Sequence, residues 1–171
     1  AIALPAVGYD ALCTSARLGG PVVVFADVAK GITGREFTPA EVIVAEELID
    51  YYLSEPAGSG YNILVAKVNS EVVGYICWGL TPLTEGTWDI YWIATDRKMQ
   101  GQGVGTALLN SAEAQIKQAK GRMAFIETSS KPGYEKTKGF YHARGYELVC
   151  QIRDFYAPGD DKLILQKRLI P

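Results

Sequence analysis

The sequence is poor in the residues that build several common kinds of site. Its 171 residues include one histidine and three cysteines. His142 alone cannot build a multi-histidine metal centre, and a histidine-based catalytic triad is nearly excluded. The cysteines, Cys13, Cys77 and Cys150, are widely spaced and form no C-x-x-C pair. We therefore expect no metal, free thiols and a reducing, cytoplasmic compartment.

Long apolar runs and basic blocks are also missing. The longest apolar run, around Pro21 to Ala26, is far too short to cross a membrane, and the N-terminus lacks the basic region of a signal peptide. The formal net charge at pH 7 is −2, and no stretch is rich in Lys and Arg. We therefore expect neither a membrane nor a nucleic acid as a partner.

What is present fits one globular domain. Hydrophobic residues make up 48% and charged residues 21% of the chain, which is the balance of a folded protein and not of a disordered one. A length of 171 residues suits a single domain over residues 1–171.

Hydrophobic periodicity and turn residues predict the elements of this domain. The predicted strands cover residues 11–17, 61–68, 72–80, 88–95, 122–127, 146–153 and 162–169. Four helices are predicted. The first covers residues 22–32, and the second begins at Thr38 and buries Tyr52. The third covers residues 104–119, and the fourth covers residues 134–144 and is closed by Gly145. Turns are predicted at Asn69-Ser70 and at residues 157–160. This order indicates a mixed α/β sheet.

A glycine-rich turn, Gln100-Gly101-Gln102-Gly103-Val104-Gly105, lies between a predicted strand and a predicted helix. Such a turn places closely spaced backbone N–H groups at the positive end of a helix dipole, where they bind phosphate oxygens. The spacing lacks the Gly-Lys-[Ser/Thr] of a Walker loop. A dinucleotide fingerprint that starts at Gly101 would need a glycine where Thr106 stands. The turn therefore predicts a phosphate ligand of another kind.

The spacing that fits is Q/R-x-x-G-x-G/A, filled by Gln100, Gly103 and Gly105. It resembles the coenzyme A pyrophosphate loop of the GCN5-related N-acetyltransferase (GNAT) superfamily. Ile93-Ala94-Thr95 stands where the family's fourth strand binds pantetheine, and residues 139–146 are similar to the family's F-Y-x-x-x-G-[FY] block. The resemblance covers roughly residues 38–170. It implies the GNAT fold, a central, mostly antiparallel twisted sheet with a splayed parallel pair and helices on both faces.

The resemblance also implies an N-acetyltransferase, which passes an acetyl group from acetyl-CoA to a primary amine by direct attack and without a metal. The acceptor would be a small-molecule amine or a peptide amine, and both a monomer and a homodimer stay open. The resemblance assigns coenzyme A binding to Ile93, Ala94, Thr95, Gln100, Gly101, Gln102, Gly103, Val104, Gly105 and Thr106.

Three residues are candidates for the chemistry. Tyr141 matches the family tyrosine that donates a proton or a hydrogen bond to the departing thiolate. The alternative to this catalytic role is an aromatic contact in the core. Asp89 stands where several family members carry a base, and its alternative is a structural pair or a strand-start residue that faces water. Glu127 is the second candidate base, with a helix cap or loop anchor as its alternative.

Other side chains carry weaker hypotheses. Asp154, Asp160 and Asp161 either attract a cationic acceptor or form a solvated hairpin turn. Six aromatic residues either line an acceptor pocket or belong to the core: Tyr75, Trp78, Tyr91, Trp92, Tyr134 and Tyr156. Two rivals to an enzyme stay open, a non-catalytic acyl-CoA-binding or regulatory module and a mononucleotide-binding α/β protein. The sequence does not identify the acceptor.

Overall fold

The computed structural model of the protein describes residues 14–15, 43–44, 47, 50–52, 54–55, 58–68 and 71–170. The predicted helix over residues 22–32, the helix start at Thr38 and the turn at Asn69-Ser70 lie outside the described residues. Thr14–Ser15 form a strand inside the predicted strand 11–17. The described positions from 43 to 54 are helical, and Tyr52 is buried as predicted.

The described part of the chain is built on strands β1 (Thr14–Ser15), β2 (Tyr61–Val68), β3 (Glu71–Leu80), β4 (Thr87–Thr95), β5 (Met123–Ser129), β6 (Glu147–Ala157) and β7 (Asp160–Arg168). Helix α1 covers Val104–Gln118 and helix α2 covers Glu135–His142, with short 3-10 turns at Arg97–Met99 and Pro132–Tyr134. No helix among the described residues is long and apolar enough to cross a membrane.

The strands belong to one sheet in the order β1-β2-β3-β4-β5-β7-β6. Strands β4 and β5 are parallel, whereas the pairs β1–β2, β2–β3, β5–β7 and β6–β7 are antiparallel. The predicted mixed α/β class, a mostly antiparallel sheet with one parallel pair and helices, is confirmed.

The chain divides into two compact units, of which the first comprises Ala1–Gly79 and Trp92–Ala114. Its core joins the helical residue Tyr52 to side chains of β2, β3 and the end of β4. These buried residues are Tyr52, Ile63, Val65, Tyr75, Cys77 and Ala94. β-Branched and aromatic residues fill the pleated surface of β2 and β3, as is typical of strands. Tyr75 and Trp78, two of the six aromatic candidates, are therefore core residues.

The second unit comprises Leu80–Tyr91 and Gln115–Pro171. The parallel register of β4 with β5 runs from the pair Thr87–Met123 to the pair Ile90–Ile126, and each strand continues beyond the last pair. Helix α2 is closed by Gly145, whose φ of +81° is a left-handed conformation that glycine adopts without strain. This closing glycine is as predicted.

Helix α1 ends at Gln118, one residue before the last position of the predicted helical spacing, Ala119, whose N–H still donates to Gln115 O at 3.0 Å. Ala119 itself is exposed. The N–H of Lys120 (φ +60°) donates to Lys117 O at 2.9 Å, and the N–H of Gly121 donates to Ile116 O at 2.8 Å. These bonds form a Schellman motif with lysine in the position that glycine usually occupies, so the usual stop signal is missing from the sequence.

Candidate active site

The glycine turn lies between the end of β4 and the start of α1, as predicted. Gly101 (φ +76°) and Gly103 (φ +88°) adopt left-handed conformations that strain other residues. A Cβ atom added to either glycine would meet no protein atom within 4 Å. Protein packing therefore does not explain these glycines, whereas their left-handed backbone conformation does.

The turn presents a row of backbone N–H donors. The Gly103 carbonyl accepts the N–H of Ala107 at 2.9 Å, and the N–H groups of the first helical turn have no acceptor inside the helix. Within the part of the chain that the structure describes, the N–H groups of Gly101, Gly103, Val104 and Gly105 donate to no protein acceptor. The first turn of α1 carries no acidic side chain. Four free donors at the positive end of the helix dipole fit the oxygens of a pyrophosphate.

A glycine of β3 allows the turn to approach the sheet. A Cβ atom on Gly74 would lie 2.8 Å from the Ala94 carbonyl oxygen, 3.2 Å from Leu108 Cδ1 and 3.3 Å from Val104 Cγ1. A larger residue would push the end of β4 and the start of α1 away from β3. Gly74 was not among the predicted site residues, although a glycine inside a strand often marks a close backbone approach.

The predicted pantetheine strand has two different faces. Ala94 is buried in the core of the first unit, whereas Ile93 and Thr95 are half-buried. Alternate residues of a strand point to opposite faces, so Ile93 and Thr95 share the face that Ala94 does not use. Their assignment to coenzyme A stays a prediction.

Tyr141 lies on α2 and is 4% exposed. Its ring packs edge to face against Phe140, with centroids 5.2 Å apart, and against Tyr146, with centroids 5.7 Å apart. Burial raises the pKa of Tyr141 well above its ordinary value of 10.0. A complete proton transfer to a thiolate, whose thiol has a pKa near 8.5, is therefore uphill by more than about 2 kcal/mol. This environment favours a donated hydrogen bond over outright acid catalysis.

The two candidate bases stand on neighbouring strands. Asp89 of β4 is opposite Phe125 of β5, and Glu127 follows two residues later, so both carboxylates point to the same face of the sheet. Asp89 Oδ2 accepts the hydroxyl of Thr81 at 2.6 Å. Glu127 Oε2 lies 2.5 Å from Lys162 Nζ. The Glu127 carboxylate is already engaged by the Lys162 ammonium group, which leaves Asp89 as the stronger candidate.

The prediction of a solvated turn is wrong for Asp160. This residue belongs to β7, is 2% exposed, accepts a hydrogen bond from the Ser129 hydroxyl and pairs with Lys131 Nζ at 2.9 Å. Burial opposes the charged form, but the hydrogen bonds from Ser129 and Lys131 and the charge of Lys131 lower the pKa of Asp160. The carboxylate therefore fastens the β6–β7 hairpin to the end of β5.

The last part of β6 forms an irregular bulge of four residues against β7. Residues 153–156 stand opposite the single residue Asp161, and Asp154 has a φ of +52°. The N–H of Asp154 donates to Asp161 Oδ1 at 2.9 Å, which holds the bulge in place. Phe155 and Tyr156 project from it, about half exposed, with their rings edge to face at 4.9 Å. Lys162 Nζ, the partner of Glu127, lies 4.8 Å from the centroid of the Phe155 ring. A polar and aromatic surface therefore borders Glu127.

We expect Asp160→Asn to lower the thermal stability of the protein at pH 7, because the amide cannot keep the ion pair with Lys131. A carboxyl with a lowered folded-state pKa stabilises the fold above its unfolded pKa of about 3.9, and this contribution is lost as the pH falls further. The variant should therefore lose less stability than the wild type between about pH 4 and pH 3. Thermal unfolding followed by circular dichroism at both pH values measures this difference. Equal melting temperatures at pH 7 and equal acid sensitivity would contradict the assigned role, and the exposed Asp50→Asn serves as the control.

Comparison with known proteins identifies the family. The family model of the acetyltransferase (GNAT) domain matches residues 59–148. A protein from Desulfovibrio desulfuricans that is assigned to the GNAT acetyltransferase family is 36% identical, with a TM-score of 0.88 over 94% of this chain and 99% of the other. The chain therefore belongs to the GNAT acetyltransferase family.

More distant solved structures share the fold. An aminoglycoside 6′-N-acetyltransferase complexed with coenzyme A is 17% identical, with a TM-score of 0.72 over 94% of this chain and 98% of that one. The ribosomal-protein-S18-alanine N-acetyltransferase from Escherichia coli is 13% identical, with a TM-score of 0.73 over 94% and 95%. No curated protein sequence matches the chain. At these identities the two structures show that the fold is shared, and their ligands and acceptors are stated of those proteins alone.

Proposed function

We propose that this GNAT-family protein transfers an acetyl group from acetyl-CoA to a primary amine by direct attack. The row of free N–H donors at Gly101, Gly103, Val104 and Gly105 carries the proposal, because it fits the pyrophosphate of coenzyme A. Gln100, Gln102 and Thr106 complete the turn around these donors, and the backbone of residues 93–95 binds the pantetheine amides.

In the proposed reaction the amine nitrogen attacks the thioester carbonyl carbon, the carbon–sulfur bond breaks, and an amide and the coenzyme A thiol form. Asp89 takes the amine proton, directly or through a water molecule. Backbone N–H near Ile93 stabilises the oxyanion. Tyr141 donates a hydrogen bond to the departing thiolate, which its raised pKa favours because the phenol stays protonated, and the thiolate then takes a proton from water to become the thiol. Glu127 is the second candidate for the base.

The need for a base depends on the acceptor. Freeing a lysine-type amine, with a pKa of about 10.4, costs about 4–5 kcal/mol at pH 7, whereas an α-amine with a pKa near 8 costs about 1 kcal/mol. The half-exposed rings of Phe155 and Tyr156 support an amine acceptor, because aromatic faces attract cations. Small-molecule amines and peptide amines both fit this chemistry. The free thiols of Cys77 and Cys150 support a cytoplasmic location.

The direct test combines binding with turnover. We expect coenzyme A at about 100 times its Kd to stabilise the protein by about 2.7 kcal/mol, which corresponds to a rise in melting temperature of roughly 5–10 °C for a chain of this size. ATP and NAD serve as controls and should leave the melting temperature unchanged. With acetyl-CoA, a panel of polyamines, aminoglycosides, amino acids and peptides should include an acceptor that releases the free coenzyme A thiol and becomes acetylated.

The outcomes separate the rival functions. Stabilisation by coenzyme A without turnover on any amine would favour a non-catalytic acyl-CoA-binding module. Stabilisation by ATP or NAD and none by coenzyme A would contradict the proposal and favour a mononucleotide-binding protein.

A further inference from the structure

Asp96, the residue between β4 and the 3-10 turn, uses its N–H, its carbonyl and one carboxylate oxygen to shape the segment before the glycines. Its N–H donates to Val73 O at 2.8 Å, which ties the end of β4 to β3. Its carboxylate Oδ1 accepts the N–H of Lys98 at 2.7 Å and caps the 3-10 turn Arg97–Met99. Its carbonyl accepts the N–H of Met99 at 2.9 Å. Asp96 therefore sets where the glycine turn begins.

Gln102 holds the same segment from the other side. Its N–H donates to Met99 O at 3.3 Å, and its side-chain Nε2 donates to Lys98 O at 2.8 Å. The N–H groups of residues 98–100 and 102 thus have acceptors inside the turn, whereas those of Gly101 and Gly103 do not. The internal hydrogen bonds divide the donors of the turn into a set that fixes its shape and a set left for the ligand.

We infer that Asp96 and Gln102 are positioning residues, which hold the turn in its ligand-binding shape before coenzyme A arrives. This inference rests on the proposed function, since it assigns coenzyme A to the turn. A preformed site binds more tightly because the cost of ordering the backbone has already been met in folding. Neither side chain needs to touch the reacting atoms, so we expect its removal to change the affinity for coenzyme A and not the rate of the chemical step.

Electrostatics alone predicts the opposite result for Asp96. A carboxylate beside a pyrophosphate site repels the ligand, so its removal should tighten coenzyme A binding. The capping role predicts that Asp96→Ala weakens binding by about 3- to 30-fold, the range expected for a lost helix cap. Asp96→Asn keeps an acceptor oxygen for the Lys98 N–H and removes the charge, so it should bind at least as tightly as the wild type.

The experiment measures coenzyme A binding by calorimetry for the wild type, Asp96→Ala, Asp96→Asn and Gln102→Ala, with circular dichroism to verify folding. In turnover, KM for acetyl-CoA should rise in Asp96→Ala and Gln102→Ala while kcat stays within about twofold. Gln102 is exposed, so Gln102→Ala tests the inference even where Asp96→Ala does not fold.

Two results would overturn the inference. Unchanged or tighter binding in Asp96→Ala and Gln102→Ala, with a wild type that binds coenzyme A, rejects the positioning role alone. A wild type that binds no coenzyme A rejects the proposed function, and the positioning role goes with it. Weaker coenzyme A binding in Asp96→Ala, with wild-type binding restored in Asp96→Asn, supports the positioning role.

Discussion

Gly103→Ala is expected to weaken coenzyme A binding at least about 100-fold. The added methyl group meets no protein atom, but it stands on the open side of the turn, where the phosphates of the proposed coenzyme A ligand would approach. Losing two charge-assisted hydrogen bonds of about 1.5–3 kcal/mol each gives a loss of roughly 10²- to 10⁴-fold in affinity. Calorimetric titration with coenzyme A measures this loss.

Gly60→Ala is the matched control for Gly103→Ala. Gly60 has a φ of +74°, and a Cβ atom there also meets nothing within 4 Å, but this glycine lies outside the turn. Both variants bear the cost of a left-handed alanine, about 1–2 kcal/mol of stability. Only Gly103→Ala should lose coenzyme A binding. Wild-type affinity in Gly103→Ala would show that the ligand does not contact this part of the turn.

Tyr141→Phe should lower kcat by about 10- to 100-fold, because a hydrogen bond to a charged thiolate contributes about 1.5–3 kcal/mol to the transition state. The ring and its contacts with Phe140 and Tyr146 are retained, so the melting temperature and the KM for acetyl-CoA should change little. Since the pKa of Tyr141 is raised, the wild type should show no loss of kcat from ionisation of this phenol up to about pH 10.

Tyr146→Phe provides the comparison for Tyr141→Phe, since Tyr146 is also buried and packs on the same aromatic cluster. It should leave kcat near the wild-type value. Equal kcat in Tyr141→Phe and the wild type would remove Tyr141 from the chemistry and leave it as a core residue. If the kcat of the wild type already decreased with rising pH before pH 10, while the kcat of Tyr141→Phe did not change with pH, the raised pKa would be contradicted.

Local features of the fold were predictable from the residues themselves. Strand β2 has the predicted bounds, 61–68, and Gly145 closes α2 as expected, because alternation and a left-handed glycine are properties of a few neighbouring residues. The same holds for the glycine turn, whose positive φ values at Gly101 and Gly103 follow from glycine's freedom.

The features that were missed depend on partners far along the chain. Asp160 reads as a turn residue, but its hydrogen-bond partner Ser129 is 31 residues away. The bulge of residues 153–156 also has no local signal, since it exists only against β7.

The sequence by itself determined the position of the glycine turn, because spacing and backbone freedom depend on a few neighbouring residues, and its motifs resemble those of the family to which the chain belongs. Only the tertiary structure decided which groups are charged, buried or already bonded. It pairs Glu127 with Lys162 and buries Tyr141 so that its phenol stays protonated, and among the described residues it gives four N–H groups of the turn no protein acceptor. These properties depend on solvent exclusion and on neighbours from distant parts of the chain, which no local pattern records.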